Sequence, residues 1–543
     1  MKIPESKLVA RFGNIRGLLV LLFIWLAATA LNLTKAFHID DTAHLEIASA
    51  IQNEPLQVMT AQVNWRDTAE PIHTLNQPHL FFYLMAITKS VFGDSEIALH
   101  LLLSFFSLIA VVFCFLLAKT FCPQHPLYLT ALLCLGPAFL PSQNVMVDIP
   151  LLACWLFFFW LLLAAGFKKN TMRYFTSALA ASAACLIKYS SLLLPLFLGV
   201  VIALRKDWRR LWTLAIPAAA LLAWSFFNLH DYGGIHLLSR DIPSFGVGRG
   251  LIRTTAWVIC LGAVSPFAIL CIPYVIAEKR RRPILGISLA AALAILIGGF
   301  TKLHEPVSFS VLRALFLGNG LLLAILTVRI LIDNLPRPFE EAGASKASSA
   351  LLFIWFAGSA AFIILFAPAI AVRHLLIVLP VILFAIGKTV IRTASSLSRH
   401  LAIGCNFLLG ALLGISDWSY ADVYRDNAPK IVQKIDSHST IWFTGHWGWK
   451  WYAAQTGMRE YDYMRSSPQT GDFLVAPEFV DKQKVAGEHS ARLSKVDEWI
   501  VDSTPATFFR VGPMGGFYAS SIRRLPWIVS REPLEQFTIY RFD

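Results

Sequence analysis

The sequence predicts a polytopic, all-α membrane protein carrying a small α/β domain at its C-terminal end. Two observations lead there. Of 543 residues, 56% are apolar and only 15% are charged, more apolar surface than a soluble interior can hide. The apolar runs stop near Ile415, and Ser416–Asp543 turns mixed, charged and rich in aromatics, with the length of an ordinary domain. The expected division is a membrane domain over 1–415, including a long outer loop at 35–95, and a soluble domain over 416–543.

Apolar runs fall at roughly 17–34, 96–118, 126–142, 149–166, 174–189, 191–204, 211–228, 252–277, 284–300, 309–331, 350–367, 374–391 and 401–415, about thirteen spans, several of them short for a full crossing. Residues 174–204 read either as one bent element or as two helices. Four basic clusters decide between them: Lys168, Lys169 and Arg173; Arg205, Lys206, Arg209 and Arg210; Lys279, Arg280, Arg281 and Arg282; Lys388, Arg392 and Arg399. With a cytoplasmic N-terminus and two helices in 174–204, all four clusters fall on the cytoplasmic side. One bent span would put every later cluster outside. Lys2, Lys7, Arg11 and Arg16 precede the first span with no small-residue cleavage site after it, which predicts an uncleaved anchor. The net charge of +13 is thus a topology signal. No aromatic-basic module of the RNA-binding kind is present, which argues against a nucleic-acid partner.

The same parity places 35–95, the 141–148 turn, 229–250, 301–307, the turn before Arg373 and the whole tail on the outer face. In the 35–95 loop, Leu45, Ala48 and Ile51 have helical spacing. Pro78–Phe92 is apolar with a proline start, a helix lying in the interface, so the loop reads as a lid or platform. In the tail, Trp442–Tyr452 reads as a strand, a glycine turn and an aromatic helix. Phe473–Ala476, Glu498–Val501 and Phe537–Phe542 read as strands. All eight cysteines lie in or beside apolar runs and none is in the tail. No CxxC or Cys/His zinc spacing occurs, so they read as small buried residues, and the tail folds without disulfides.

Asp40 and Asp41 follow the first span directly. Carboxylates at a membrane boundary mark substrate or ion sites, or simply end a helix in water. Asp148, in Val145-Met146-Val147-Asp148-Ile149-Pro150, opens a span on the same outer face; it can cap that helix and still take part in chemistry. Lys188 ends its span outside, where it could snorkel or hold a phosphate as a point charge. Arg373 and His374 open the twelfth span and Arg313 the tenth; an arginine at a membrane mouth suits a phosphate or anchors a helix end. The loop from Asn228 to His236 has two histidines and an acid but no metal-binding spacing. The rival reading is a transporter or lipid flippase with the rim acids as its substrate site, though such proteins place their ionisable groups near the midplane and often show repeats. A scaffold whose tail binds a partner leaves the rim acids unexplained.

Taken in order, several motifs resemble the GT-C membrane glycosyltransferases. They are Ile39-Asp40-Asp41-Thr42-Ala43-His44-Leu45, Asn76-Gln77-Pro78-His79-Leu80-Phe81-Phe82-Tyr83-Leu84, Val91-Phe92-Gly93-Asp94-Ser95-Glu96-Ile97-Ala98-Leu99, Val147-Asp148-Ile149-Pro150-Leu151 and Arg373-His374-Leu375-Leu376-Ile377-Val378-Leu379-Pro380. The nearest branch is family 39 and its relatives, which include protein O-mannosyltransferases and the lipid A aminoarabinose transferase. Two departures stand out: Asp40-Asp41 where the family often has Asp-Glu, which leaves the chemistry intact, and Pro78-His79 where it has Pro-Pro, which bears on the loop. The resemblance implies transfer of a sugar from a polyprenyl phosphate to a lipid, glycan or protein acceptor on the outer face, in a bacterial inner membrane. It implies Asp40 as general base, Asp41 and Asp148 orienting the acceptor or sugar, and Lys188 and Arg373 neutralising the lipid phosphate; His374 and Arg313 join them as expected substrate contacts. A single base with no enzyme nucleophile predicts inversion. No cofactor is required, although the acids could hold a divalent metal.

Overall fold

Helices fall within each of the expected apolar runs in the computed structural model, which describes residues 15–75, 77–163, 171–239, 246–300, 305–335, 344–435, 439–512 and 515–543. Lys2, Lys7, Arg11, Asn76, Lys168 and Lys169 lie outside the described residues. By length and apolarity seven described helices can cross a bilayer, or eight if Val247–Ala263 and Pro266–Ala277, bent by 80°, count as one crossing. Shorter apolar helices accompany them at Asp148–Leu163, Tyr189–Leu204 and Leu379–Ile391. Large side chains such as Phe23, Phe105, Leu293 and Leu408 stay exposed on the helix surfaces, the outward apolar face that a lipid solvent calls for. The chain is an integral membrane protein with a C-terminal sheet.

Three boundaries differ from the expected ones. The run 126–142 is helical only over Pro126–Cys134, because Pro137 has no N–H to donate and disfavours helical geometry at Gly136. Residues 174–204 are two helices, Thr171–Ile187 and Leu193–Leu204, separated at Lys188, whose backbone is extended. The chain reverses there: Arg205, just past the second helix, bonds the Leu162 carbonyl and the Tyr174 hydroxyl at the start of the first. The last expected span does not stop at 415 but continues as one helix, Ser396–Lys434. Its second half is polar because it packs on protein, with Asp417, Tyr420 and Tyr424 buried.

The segments assigned to one face by parity meet in space. His44 of the helix Asp41–Asn53 bonds the Val145 carbonyl at 3.0 Å. Asp231 accepts from the Met59 N–H at 2.6 Å, and His236 bonds the Leu75 carbonyl at 2.6 Å. The proline-led stretch forms the helix Leu80–Phe92, and between the two loop helices runs a short hairpin, Gln62–Asn64 paired with Ala69–Pro71. At the opposite ends of the helices, Arg399 meets His125, and Cys122 bonds the Gly387 carbonyl.

The tail forms a five-stranded mixed sheet in the order Arg459–Glu460, Ile441–Phe443, Phe473–Pro477, Glu535–Phe542, Leu493–Val501, the first two pairings parallel and the last two antiparallel. The helix Trp447–Gln455 docks it on the rest of the molecule. Trp449 is fully buried against Phe537 and Tyr424. Gly448 permits this approach, since a Cβ there would fall 2.4 Å from the Phe37 carbonyl oxygen. One continuous apolar core therefore runs from the membrane helices into the sheet.

Candidate active site

The site is built where the outer loop leaves the first span. Ile39 adopts φ +53°, a conformation β-branched residues avoid and which costs about 1–3 kcal/mol. This turn separates the two acids that follow it. Asp40 precedes the helix Asp41–Asn53 and its side chain makes no bond to the helix end; its carboxylate lines a cavity of about 320 Å³, within the usual range for a small-molecule site. Asp41 goes the other way. It is fully buried, accepts from the His38 N–H at 3.0 Å, and does not line the cavity. Burial pushes its carboxyl up to about 8, so it is protonated at neutral pH.

Asp148, Lys188, Arg373 and His374 reach the same cavity from three further elements. Asp148 opens the helix Asp148–Leu163, where the amide dipoles favour a negative charge. Lys188, in the extended link between two helices, pairs with Asp148 Oδ1 at 2.7 Å. Arg373 lies in the short helical turn Val372–Ile377. Its guanidinium donates to Asp40 Oδ2 at 2.8 Å and stands 3.7 Å from Asp148 Oδ2. Two acids and two cations thus alternate as Asp40, Arg373, Asp148, Lys188. Arg313 is elsewhere: it is buried in a bidentate pair with Glu305 at 2.7 and 2.6 Å.

The cavity has two contrasting walls. Phe362, Ile363 and Phe366 of the helix Ala344–Phe366, with Leu151, form an apolar side. The hairpin supplies Trp65, Arg66 and Glu70, with Thr74 and Gln77 just beyond. Sequence reasoning missed these, along with Ser190 and Tyr518, which also line it. Ser190 Oγ, Gln77 Oε1 and His374 Nδ1 are buried atoms with no protein partner, the condition of groups that await water or ligand. Ser190 and Gln77 sit beside residues singled out by motif, while nothing in the local pattern points to Tyr518. Among the described residues no cluster of three or more His, Cys, Asp and Glu side chains is arranged for a metal ion. The oxygens of Asp40 and Asp148 answer to guanidinium and ammonium groups and form no cation cage. Chemically the arrangement offers a carboxylate held in place by a guanidinium, and two adjacent cations that can face a second anion.

Residues 76–229 match the family model described as dolichyl-phosphate-mannose-protein mannosyltransferase. This segment contains Gln77, Asp148, Lys188 and Ser190. No curated protein sequence matches the chain. Among solved structures, the chain is similar to ArnT from Cupriavidus metallidurans bound to undecaprenyl phosphate, at 15% identity and TM-score 0.39, over 87% of this chain and 93% of that one. It is also similar to the Archaeoglobus fulgidus oligosaccharyltransferase tethered to an acceptor peptide, at 11% identity and TM-score 0.47, over 84% of this chain and 64% of that one. The Archaeoglobus fulgidus oligosaccharyltransferase AglB with an inhibitory peptide and a dolichol-phosphate matches at 12% identity and TM-score 0.45, over 84% and 69%. The family match is confined to residues 76–229, the part of the chain that carries Asp148 and Lys188.

Proposed function

We propose that the protein transfers a sugar from a polyprenyl-phosphate donor to an acceptor at the outer face of a bacterial inner membrane. The observation that carries this reading is the single cavity in which Asp40, Asp148, Lys188 and Arg373 meet beside an apolar wall. A donor anchored in the bilayer can present only its head there, with its lipid along Phe362, Ile363 and Phe366. The name of the matching family, with its dolichyl-phosphate-linked mannose, supports the same donor chemistry.

In the proposed reaction the acceptor hydroxyl oxygen attacks the anomeric carbon. The carbon–oxygen bond to the phosphate breaks, and its electron pair leaves on the phosphate. Asp40 takes the hydroxyl proton. Arg373 and Lys188 sit where negative charge grows on the departing phosphate, the placement that accelerates a step most. Asp148 holds both cations in register, and His374 adds a polar contact. With one carboxylate as base and no enzyme nucleophile, the sugar inverts. The acceptor is a lipid such as lipid A, a glycan or a protein. The reacting unit is the membrane portion, 1–415, and the exported unit is 416–543, joined along the helix Ser396–Lys434.

The test is Asp40→Asn assayed in membranes with labelled polyprenyl-phosphate sugar. Loss of a positioned base predicts a fall of about 10²–10⁴ in rate with insertion and folding unchanged. Wild-type transfer by that variant removes the proposed base. Orientation is checked by labelling Glu488→Cys, whose position is 82% exposed, in a Cys405→Ser background. Labelling from outside alone is expected.

A further inference from the structure

The C-terminal domain reaches into the turn that carries Arg373. Ser520 donates its N–H to the Ile370 carbonyl at 2.6 Å, and Val372 donates its own to the Phe517 carbonyl at 3.0 Å. These two bonds clamp residues 370–372, immediately before Arg373. Tyr518 lies between them. Its hydroxyl donates to Asp417 Oδ2 at 2.6 Å and accepts from Asn144 Nδ2 at 2.7 Å. Asp417 is fully buried and ion-paired to Lys35, which also bonds Asn144, and His38 stands 3.2 Å from its other oxygen. The phenol is thus bolted to three separate parts of the molecule outside its own segment: the start of the outer loop, the turn before Asp148, and the long helix.

We propose that Tyr518 is a positioning residue for the transfer reaction: its anchored hydroxyl fixes the tail segment 517–520, and that segment fixes the Arg373 turn between Asp40 and Asp148. The proposal assigns the exported domain a part in the active site through one short strap. Arg373 must meet two carboxylates from different elements at once, and a guanidinium displaced by an ångström loses that geometry. A side chain alone does not set its own backbone; the strap does.

The inference rests on the sugar-transfer reading for its rate assay, so the experiment carries a second arm that does not. In the first arm, Tyr518→Phe keeps the ring and removes the anchoring hydroxyl. Transfer should fall about 10- to 100-fold in kcat, the loss that misplacing a catalytic group by about an ångström brings, with KM for the donor within about twofold; the lost hydrogen bond lowers the melting temperature as well, but by no more than Trp527→Phe does. Trp527→Phe is the control. That tail residue is equally buried, donating to the Ala263 carbonyl at 2.8 Å, but does not adjoin Arg373; it should lose thermal stability and keep its rate. In the second arm, Ile370→Cys/Ser520→Cys places cysteines at a cross-strand pair with spacing fit for a disulfide. Oxidation in membranes should close the bond readily with Tyr518 in place and several-fold more slowly with Tyr518→Phe. Wild-type kcat for Tyr518→Phe, a rate loss that only follows loss of folded protein, or equal cross-linking in both backgrounds would each overturn the proposal. Absence of transfer by the wild-type protein would end the sugar-transfer reading instead, and the cross-linking arm would still decide this one.

Discussion

Lys188 and Asp148, forty residues apart, form a 2.7 Å ion pair at the meeting point of three helix ends, with 19% and 5% of their side chains exposed. Arg373 stands 3.7 Å from the other oxygen of the same carboxylate. Lys188 therefore has two jobs: it neutralises a buried acid, and it presents a charge to the cavity. The two separate experimentally. Lys188→Met leaves Asp148 with only the longer Arg373 contact, and removing one partner of a buried pair costs about 3–5 kcal/mol. The double variant Lys188→Met/Asp148→Asn removes the stranded charge and should recover most of that stability. Under the proposed reaction it should not recover transfer, because the cation that faces the departing phosphate is still missing. Thermal unfolding in detergent and single-turnover transfer, measured on the same preparations, check both halves. A double variant with restored activity would show that Lys188 acts on Asp148 alone.

Asp41 gives a pH dependence with a definite sign. Its carboxyl has an ordinary value of 3.8 and is pushed up to about 8 in the folded protein by burial. Between those values the unfolded chain has released this proton while the folded protein still binds it. Stability from this group is therefore present below about pH 4 and is lost as pH rises toward 8. Asp41→Asn keeps the shape and removes the titration. The melting temperature of the wild type should fall relative to the variant as pH is raised from 4 to 8. Transfer by Asp41→Asn at neutral pH should stay within several-fold of wild type, since Asp41 is neutral there and off the cavity. Parallel melting curves for the two proteins across that range would contradict the assignment.

The contrast between Asp40 and Asp41 marks what a sequence of this kind makes legible. Composition and basic clusters predict the helices, and even the division at Lys188 follows from charge parity, because lipid and membrane potential act on patterns that single residues display. Which of two adjacent acids faces the cavity depends on the φ of Ile39, an unfavourable backbone state no propensity announces. Arg313 shows the same limit. At a helix mouth it reads like a phosphate ligand, yet Glu305, eight residues earlier, pairs with it. Tyr518 lies in an irregular stretch of the tail, without periodicity, and its role comes from Asp417 and Asn144, 101 and 374 residues away. The Gln62–Asn64 hairpin strand is only three residues long, too short for alternation to register.

The C-terminal domain is held by a buried lysine. Lys450 of the helix Trp447–Gln455 is buried, donates to the Asn64 carbonyl at 2.6 Å, and pairs with Glu46 of the outer loop at 2.8 Å and Glu460 of the sheet at 3.2 Å. It is a pin through hairpin, loop helix and domain together. Burial pushes Glu460 up to about 7 and Glu46 upward as well, against the pull of Lys450. Lys450→Met removes that pull and leaves two partly exposed carboxylates facing each other, a loss at neutral pH somewhat below the about 3–5 kcal/mol of a fully buried pair. The sign with pH follows from the raised values. The unfolded glutamates ionise near 4.5 while the folded ones hold their protons longer, so stability falls as pH rises from 4.5 toward 7 and beyond. The variant should therefore be closest to wild type at about pH 5 and worst at pH 8. Lys450→Met/Glu460→Gln should regain part of the difference at pH 8, because one of the opposed charges is gone. Hydrogen exchange of the sheet amides, read against those of the membrane helices, tells a loosened domain from global unfolding: exchange should quicken first in the sheet and in the 62–71 hairpin. Uniform quickening throughout the protein would show that Lys450 is an ordinary core contact rather than the pin between the two parts.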